Sequence, residues 1–269
     1  MIALIDYDAG NIKSVEKAFQ SLGKEVVLTR DPEVLKRADH VVLPGVGSFG
    51  DAMENLNRYH LVPVIHEIVE KGTPFLGICL GLQILFERSE ESPGVEGLGL
   101  LKGEILRIPD KEGLKIPHMG WNSIHLQNEG RLFKGISQES YVYFVHSYYL
   151  KAEEEEIIKA TTEYSTHIHA SVEKGNLFAC QFHPEKSSDL GLAILKNFAE
   201  NGIRSQIIDM VPTRPEMEFP RALEMKRHFI LHVGPTNCGK TYQALQRLRT
   251  AYKGIYLCLL YTSPSPRDA

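Results

Sequence analysis

Over the first 90 residues, short apolar runs alternate with stretches of helical spacing. Ile2 to Ile5 reads as a strand that ends at Asp6. Gly10-Asn11 then opens a helix whose apolar positions, Ile12, Val15, Ala18, Phe19 and Leu22, share one face, and Gly23 closes it. Glu25 to Leu28 is a second strand, and Asp31-Pro32 supplies an N-cap and a first helical residue for a short helix. His40 to Leu43 is a third strand, Pro63 falls near the start of a further helix, and Phe75 to Ile78 is a fourth strand. Leu82 to Arg88 continues from it with helical spacing. Strands alternating with amphipathic helices predict βαβ units, hence an α/β fold with a doubly wound, mostly parallel sheet.

After about Glu87 the pattern changes. Glu104 to Ile108, Trp121 to Leu126, Tyr141 to Leu150, Ile157 to Thr161, Ile168 to Glu173 and Leu177 to Phe182 read as strands joined by turns such as Lys174-Gly-Asn176. They predict an antiparallel extension, and Leu190 to Phe198 a final helix that packs back on the sheet. The expected domain is residues 1–201.

Charge adds a boundary to this picture. Residues 1–200 carry 20 Lys+Arg against 29 Asp+Glu, whereas residues 201–269 carry 10 against 5, so the last stretch differs in kind. The four cysteines, 79, 180, 238 and 258, show no C-x-x-C spacing, which fits a reducing cytoplasm better than a disulfide framework. No run of eighteen apolar residues is present, so no membrane partner is expected.

The candidate chemistry centres on Gly77-Ile-Cys79-Leu-Gly81, where the fourth strand meets a helix. A nucleophile on a sharp strand-to-helix corner is the elbow of G-x-S-x-G enzymes, here with sulfur. The glycines permit a tight turn and leave room for a substrate, and the helix N-terminus favours thiolate. The plainer reading, a small buried hydrophobe, is the common fate of a free cysteine. Phe182-His183-Pro-Glu185 supplies an imidazole with a carboxylate two residues on, on the same side of extended chain. Glu185 would orient His183, and His183 would serve Cys79 as base and a leaving amine as acid. An oxyanion hole needs N–H donors, for which Leu80 and the glycine-rich Pro44-Gly-Val46-Gly47-Ser-Phe49 loop are the candidates.

Taken together, G-I-C-L-G at 77–81, F-H-P-E at 182–185 and P-G-V-G-S-F at 44–49 resemble the class I (triad) glutamine amidotransferases. D-Y-x-A-G-N at 6–11, P-H-M-G-W-N at 117–122 and F-V-H-S-Y-Y at 144–149 are similar to the glutaminase subunits that serve imidazole glycerol phosphate synthases in histidine biosynthesis. The resemblance runs from Met1 to about Asn201. It implies that Cys79 forms a glutamyl thioester and releases ammonia, with His183 and Glu185 completing the triad. Leu80 and the Val46-Gly47 peptide would supply oxyanion N–H groups, that peptide flipping inward on activation. Gln83, Glu96, His146, Ser147 and Tyr148 would line the pocket for L-glutamine. Met119, Trp121 and Asn122 would face a cyclase subunit of (βα)8-barrel type in a heterodimer. No cofactor and no metal are implied; His167-Ile-His169 lacks the carboxylates or cysteines of a metal site.

Gly234-Pro-Thr-Asn-Cys-Gly239-Lys240-Thr241 follows an apolar run, Phe229 to Val233, and precedes a helical one, Tyr242 to Leu248, the setting a phosphate loop requires. It is similar to the first motif of helicase-type ATPases. Only 28 residues follow Thr241, too few for the sheet and the Mg²⁺-holding aspartate of such an enzyme. Residues 202–269 are therefore expected to be a truncated, mostly irregular fusion segment without activity, and no nucleic-acid partner is expected. Two other functions stay open: the glutaminase of another pathway, such as pyridoxal phosphate synthesis, and a nucleic-acid-binding protein carried by the basic tail.

Overall fold

The computed structural model describes residues 1–127 and 130–200, all within one compact unit, Met1–Val211. The tail readings, including the Gly234 to Thr241 loop, lie outside the described residues. Among the described residues six α-helices flank two sheets: α1 (Ile12–Ser21), α2 (Pro32–Arg37), α3 (Phe49–Arg58), α4 (Leu61–Glu70), α5 (Leu80–Gln83) and α6 (Ser188–Glu200). The larger sheet begins with five parallel strands in the order β2 (Val26–Thr29), β1 (Ile2–Ile5), β3 (His40–Gly45), β4 (Phe75–Cys79) and β12 (Leu177–Cys180). It continues antiparallel through β11 (Thr166–Lys174), β10 (Ile158–Tyr164), β7 (His118–Leu126) and β8 (Ser140–His146). A small sheet joins β5 (Arg88–Ser89), β6 (Gly103–Arg107) and β9 (Tyr148–Ala152).

β1, β3, β4 and β12 read as apolar runs because both their faces are covered, whereas edge strand β2 is only half-buried. Ala3 and Ile5 of β1, Val41 and Leu43 of β3, and Leu177 and Ala179 of β12 pack on one side with α2, α3 and α4. Ile2, Leu4, Val42, Phe178 and Cys180 pack on the other with α1 and α6. Burying these fully enclosed side chains supplies about 1.5–3 kcal/mol each. In β8 the pattern is two-sided instead: Val142, Phe144 and His146 are buried while Tyr141 is 61% exposed.

Three expectations need correction. The helix expected over Leu82 to Arg88 ends at Gln83. Leu82, Ile84, Leu85 and Phe86 are all fully buried, more than one helical face could bury. The carbonyls of Ile84, Leu85 and Phe86 are taken by backbone N–H groups of Leu98, Leu100 and Gly99. The single strand expected over Tyr141 to Leu150 breaks at Ser147, and its halves, β8 and β9, enter different sheets. Period-2 alternation continues across the break, so no sequence signal marks it. The strand expected from Trp121 starts at His118, three residues earlier.

The Pro63 expectation agrees with the structure: it is the third residue of α4, where no carbonyl one turn back is available to a helical N–H. Asp31 caps α2 as expected, accepting from Glu33 N–H at 2.9 Å.

Candidate active site

β4 delivers Cys79 to the corner before α5 with φ 54° and ψ −109°, a backbone conformation that costs a non-glycine residue about 1–3 kcal/mol. Close approach of the backbone fixes this corner. A Cβ on Gly81 would lie 1.9 Å from Leu43 O, and one on Gly77 would lie 2.5 Å from Gly81 O. The two glycines thus let β3, β4 and α5 touch; neither has a positive φ, so neither serves as a turn residue. Cys79 itself is 7% exposed.

His183 follows the end of β12, where a 3₁₀ turn, Pro184–Lys186, begins. Its Nδ1 lies 2.8 Å from Glu185 Oε1, and Asn11 Nδ2 donates to that oxygen at 3.0 Å. The pair therefore meets across a tight turn rather than along extended chain. With Nδ1–H given to the carboxylate, Nε2 is left as the reactive nitrogen. Nε2 is buried and makes no hydrogen bond among the described residues, nor does Glu185 Oε2. Burial opposes the charged imidazole, but Cys79 and Glu185 outweigh it and push His183 up to about 9. Edge strand β8 closes over this segment: His183 N–H donates to Tyr143 O at 2.9 Å, and Tyr143 N–H to Ser187 Oγ at 3.0 Å.

The register pairs Gly45 with Cys79, so Val46 and Gly47 leave the sheet beside the nucleophile. Gly47 has φ 112°, which favours glycine. Ser48 then caps α3, accepting from Asp51 N–H at 3.2 Å. Leu80 is the first residue of α5, where backbone N–H groups have no helical acceptor. Tyr7 donates to Pro44 O at 2.7 Å and holds the loop's base; burial and the nearby Cys79 push its phenol above the usual range.

The other expected pocket residues separate into two groups. Gln83, His146 and Tyr148 come together: Tyr148 O accepts from Gln83 Nε2 at 2.9 Å and from His146 Nδ1 at 2.8 Å. His146 Nε2 lies 3.0 Å from His118 Nδ1, and Asn122 Nδ2 reaches His118 Nε2 at 3.4 Å. Burial lowers His118 to about 4 and His146 to about 3, so both rings are neutral. Ser147 is half-buried, its carbonyl accepting from Ile108 N–H at 2.9 Å. Glu96 is exposed on the segment running back along α5, with no hydrogen bond to Cys79 or Gln83 among the described residues.

Sequence reasoning missed two residues. Gln181 donates through Nε2 to Cys79 Sγ at 3.7 Å and accepts from Gln83 at 3.0 Å. It directly precedes the F-H-P-E motif, a position that could have drawn notice. Asn11 was read as a helix opener and as the end of the D-Y-x-A-G-N segment, with no role toward Glu185, yet its amide is spent on Glu185 instead of capping α1.

Met119 and Trp121 are 62% and 51% exposed on the outward side of β7, near Tyr141. Asn122 turns back toward the sheet, donating also to Glu163 O at 3.0 Å. A cavity of about 380 Å³ is lined by Tyr7, Asp8, Val46, Gly47, Asp51 and Arg58 among others; Cys79, His183 and Glu185 do not line it. His167 pairs with Glu163, and His169 Nδ1 accepts from Ala152 N–H at 3.0 Å. Among the described residues no group of three or more His, Cys, Asp or Glu could hold a metal, and no helix is long and apolar enough to cross a membrane.

The model of the class I glutamine amidotransferase family matches residues 3–201. Imidazole glycerol phosphate synthase subunit HisH of Moorella thermoacetica is 53% identical over 199 residues, 74% of this chain and 94% of that protein. The HisH subunit of Methanocaldococcus jannaschii is 50% identical over 200 residues, covering 74% of this chain and 99% of its own. A crystal structure of a glutamine amidotransferase superposes with TM-score 0.59 at 19% identity, covering 74% of this chain and all of that one. The structure of PurLQS from Thermotoga maritima gives 0.58 at 21%, covering 74% of this chain and 96% of that one. These two similarities speak to fold alone. A second model, the DEXQ-box helicase domain of Suv3, matches residues 215–261, outside the described residues.

Proposed function

The chain belongs to the class I glutamine amidotransferase family, and from that premise we propose that it is the glutaminase subunit of an imidazole glycerol phosphate synthase. Cys79 Sγ attacks the side-chain amide carbon of L-glutamine. The C=O electrons move onto oxygen, which Leu80 N–H and the Val46–Gly47 peptide receive as oxyanion donors. On collapse, His183 gives its proton to the departing nitrogen, ammonia leaves and a glutamyl thioester remains. Water, deprotonated by His183, then attacks that carbonyl; glutamate departs and Cys79 is regenerated. Glu185 holds His183 in the tautomer that puts Nε2 to work, and Asn11 holds Glu185.

The observation that carries this reading is the strained, nearly buried Cys79 corner beside a buried His183–Glu185 pair. A packing cysteine has no need of a φ of 54°. Gln83 makes both its hydrogen bonds through Nε2, so its Oε1 is left to accept from the substrate amine or amide. Glu96, Ser147 and Tyr148 complete the glutamine pocket in this reading, with His146 bracing it through Tyr148 O. The exposed Met119–Trp121 side of β7 and Asn122 form the docking surface for a cyclase subunit of (βα)8-barrel type, which receives the ammonia. The site of action is the cytoplasm.

Glutamate release from glutamine tests the assignment, measured with and without the cyclase subunit and its ribonucleotide ligand. Cys79→Ala is expected to abolish release, and the complex to exceed the isolated chain. Release that survives in Cys79→Ala would sink the mechanism, and indifference to the cyclase would sink the assignment to this synthase. Residues 202–269 take no part: Lys240→Ala is expected to leave release unchanged.

A further inference from the structure

We propose that Gln181 is a positioning residue for the nucleophile, its amide polarity dictated through Gln83 by the backbone carbonyl of Tyr148, so that Cys79 sulfur always meets a donor. This rests on the reading of Cys79 as nucleophile and adds to it a group outside the triad.

The direction of each bond follows from one fixed point. A backbone carbonyl can only accept. Tyr148 O accepts from Gln83 at 2.9 Å, so Gln83 must turn its NH₂ inward. That same nitrogen lies 3.0 Å from the Gln181 side-chain amide, which must then present Oε1. Gln181 is fully buried and so cannot borrow water to satisfy a reversed amide. Its NH₂ therefore points the other way, to Cys79 Sγ at 3.7 Å. Flipping either amide would set donor against donor or oxygen against oxygen, and each buried mismatch costs about 1–3 kcal/mol.

A donor aimed at sulfur favours thiolate over thiol. It also prevents Sγ from settling elsewhere: the thiol's own acceptor, Val145 O, is distant at 3.9 Å. Gln181 is well held for this task, its N–H donating to Ala170 O at 2.8 Å. The other groups facing Cys79 are His183 beyond β12, Tyr7 after β1 and Cys180 on β12. Behind them Glu185 and His146 act on His183. Of these neighbours only Gln181 offers sulfur a hydrogen donor that does not titrate.

The test is the rate of Cys79 alkylation by iodoacetamide at neutral pH, followed by peptide mass spectrometry on the full chain. It needs no turnover, so it stands whether or not glutamine is hydrolysed. Gln181→Met keeps length and volume but removes the donor. Its labelling should become about tenfold slower, the size of a lost hydrogen bond to a charged group. Gln83→Leu, which frees Gln181 to flip, should slow it by less. Gln181→Glu should slow it furthest, because a carboxylate repels thiolate. Unchanged alkylation rates in Gln181→Met and Gln83→Leu, with wild-type melting temperatures, would overturn the proposal. If Gln181→Met fails to fold, the Gln83→Leu rate decides. Failure of glutaminase activity in the wild type with these shifts present would count against the proposed function and not against the role of Gln181.

Discussion

At the edge of the parallel half of the large sheet, His183 is buried against Glu185 and is pushed up to about 9. In the antiparallel half, His118 and His146 are buried against each other and fall to about 4 and about 3. All three rings are nearly inaccessible, so burial is common to them. What differs is the partner. The Cys79 sulfur and a carboxylate together make a buried imidazole an acid–base group, whereas a second imidazole, a backbone carbonyl and the faces of Phe144 and Tyr164 make it a neutral brace. Burial alone does not identify a catalytic histidine.

The most forceful way to break this contrast is to take the carboxylate away. Glu185→Gln leaves His183 with a neutral partner and so makes it resemble His118. Its pKa should fall from about 9, because one of the two groups that raise it is lost while Cys79 and burial remain. Glutamate release should drop by about 10²-fold or more, the range of a lost general acid–base group. Nuclear magnetic resonance titration of the imidazole, run beside the activity assay, checks both. A His183 that stays charged at neutral pH in Glu185→Gln would show that Cys79 alone holds the proton, and the contrast would need another basis.

A smaller effect appears in stability against pH, with opposite signs in the two halves. The folded value of His183 lies above 6.5, so its contribution is fully present below pH 6.5 and is lost as pH rises toward 9. The folded values of His118 and His146 lie below 6.5, so theirs is present above pH 6.5 and is lost as pH falls toward 4. Urea unfolding at several pH values should therefore show a shallower acid-side decline in His118→Phe than in wild type, by a few kcal/mol at pH 4. His183→Asn should flatten only the alkaline side between pH 6.5 and 9. Identical acid limbs in wild type and His118→Phe would remove the neutral-pair account.

The halves also differ in how much of them the sequence shows. The parallel half was legible because four of its five strands are buried on both faces and its helices have apolar stripes, patterns local to a dozen residues. The residues proposed as a triad stand out in the sequence because Gly77 to Gly81 and Phe182 to Glu185 are compact motifs. Other features depend on contacts distant in the chain. The break at Ser147 comes from Ile108 N–H claiming its carbonyl. The early end of α5 comes from the N–H groups of Leu98, Gly99 and Leu100 taking the carbonyls of Ile84, Phe86 and Leu85 just beyond it. Gln181, Asn11 and His118 matter through partners 102, 174 and 28 positions away, and no periodicity encodes such pairings.

Backbone strain gives the finest test of the contrast. In the antiparallel half the left-handed non-glycine residues, Glu139 (φ 58°) and Ser165 (φ 59°), sit in turns at strand ends. Their side chains reach solvent. Cys79 takes φ 54° inside the core, where solvent offers no compensation and the surrounding β3–β4–α5 contacts must impose it. Glycine adopts such a φ without the Cβ penalty, while alanine keeps it. Cys79→Gly should thus melt no lower than Cys79→Ala, although in ordinary strand or helix interiors glycine is worse than alanine by about 0.5–1 kcal/mol. The expected gain is about 1 kcal/mol, or about 2–4 °C in a domain of this size. Both variants lack the nucleophile, so the comparison isolates the backbone from the chemistry. A Cys79→Gly protein that melts well below Cys79→Ala would mean that the side chain's packing, rather than the imposed corner, holds position 79 in place.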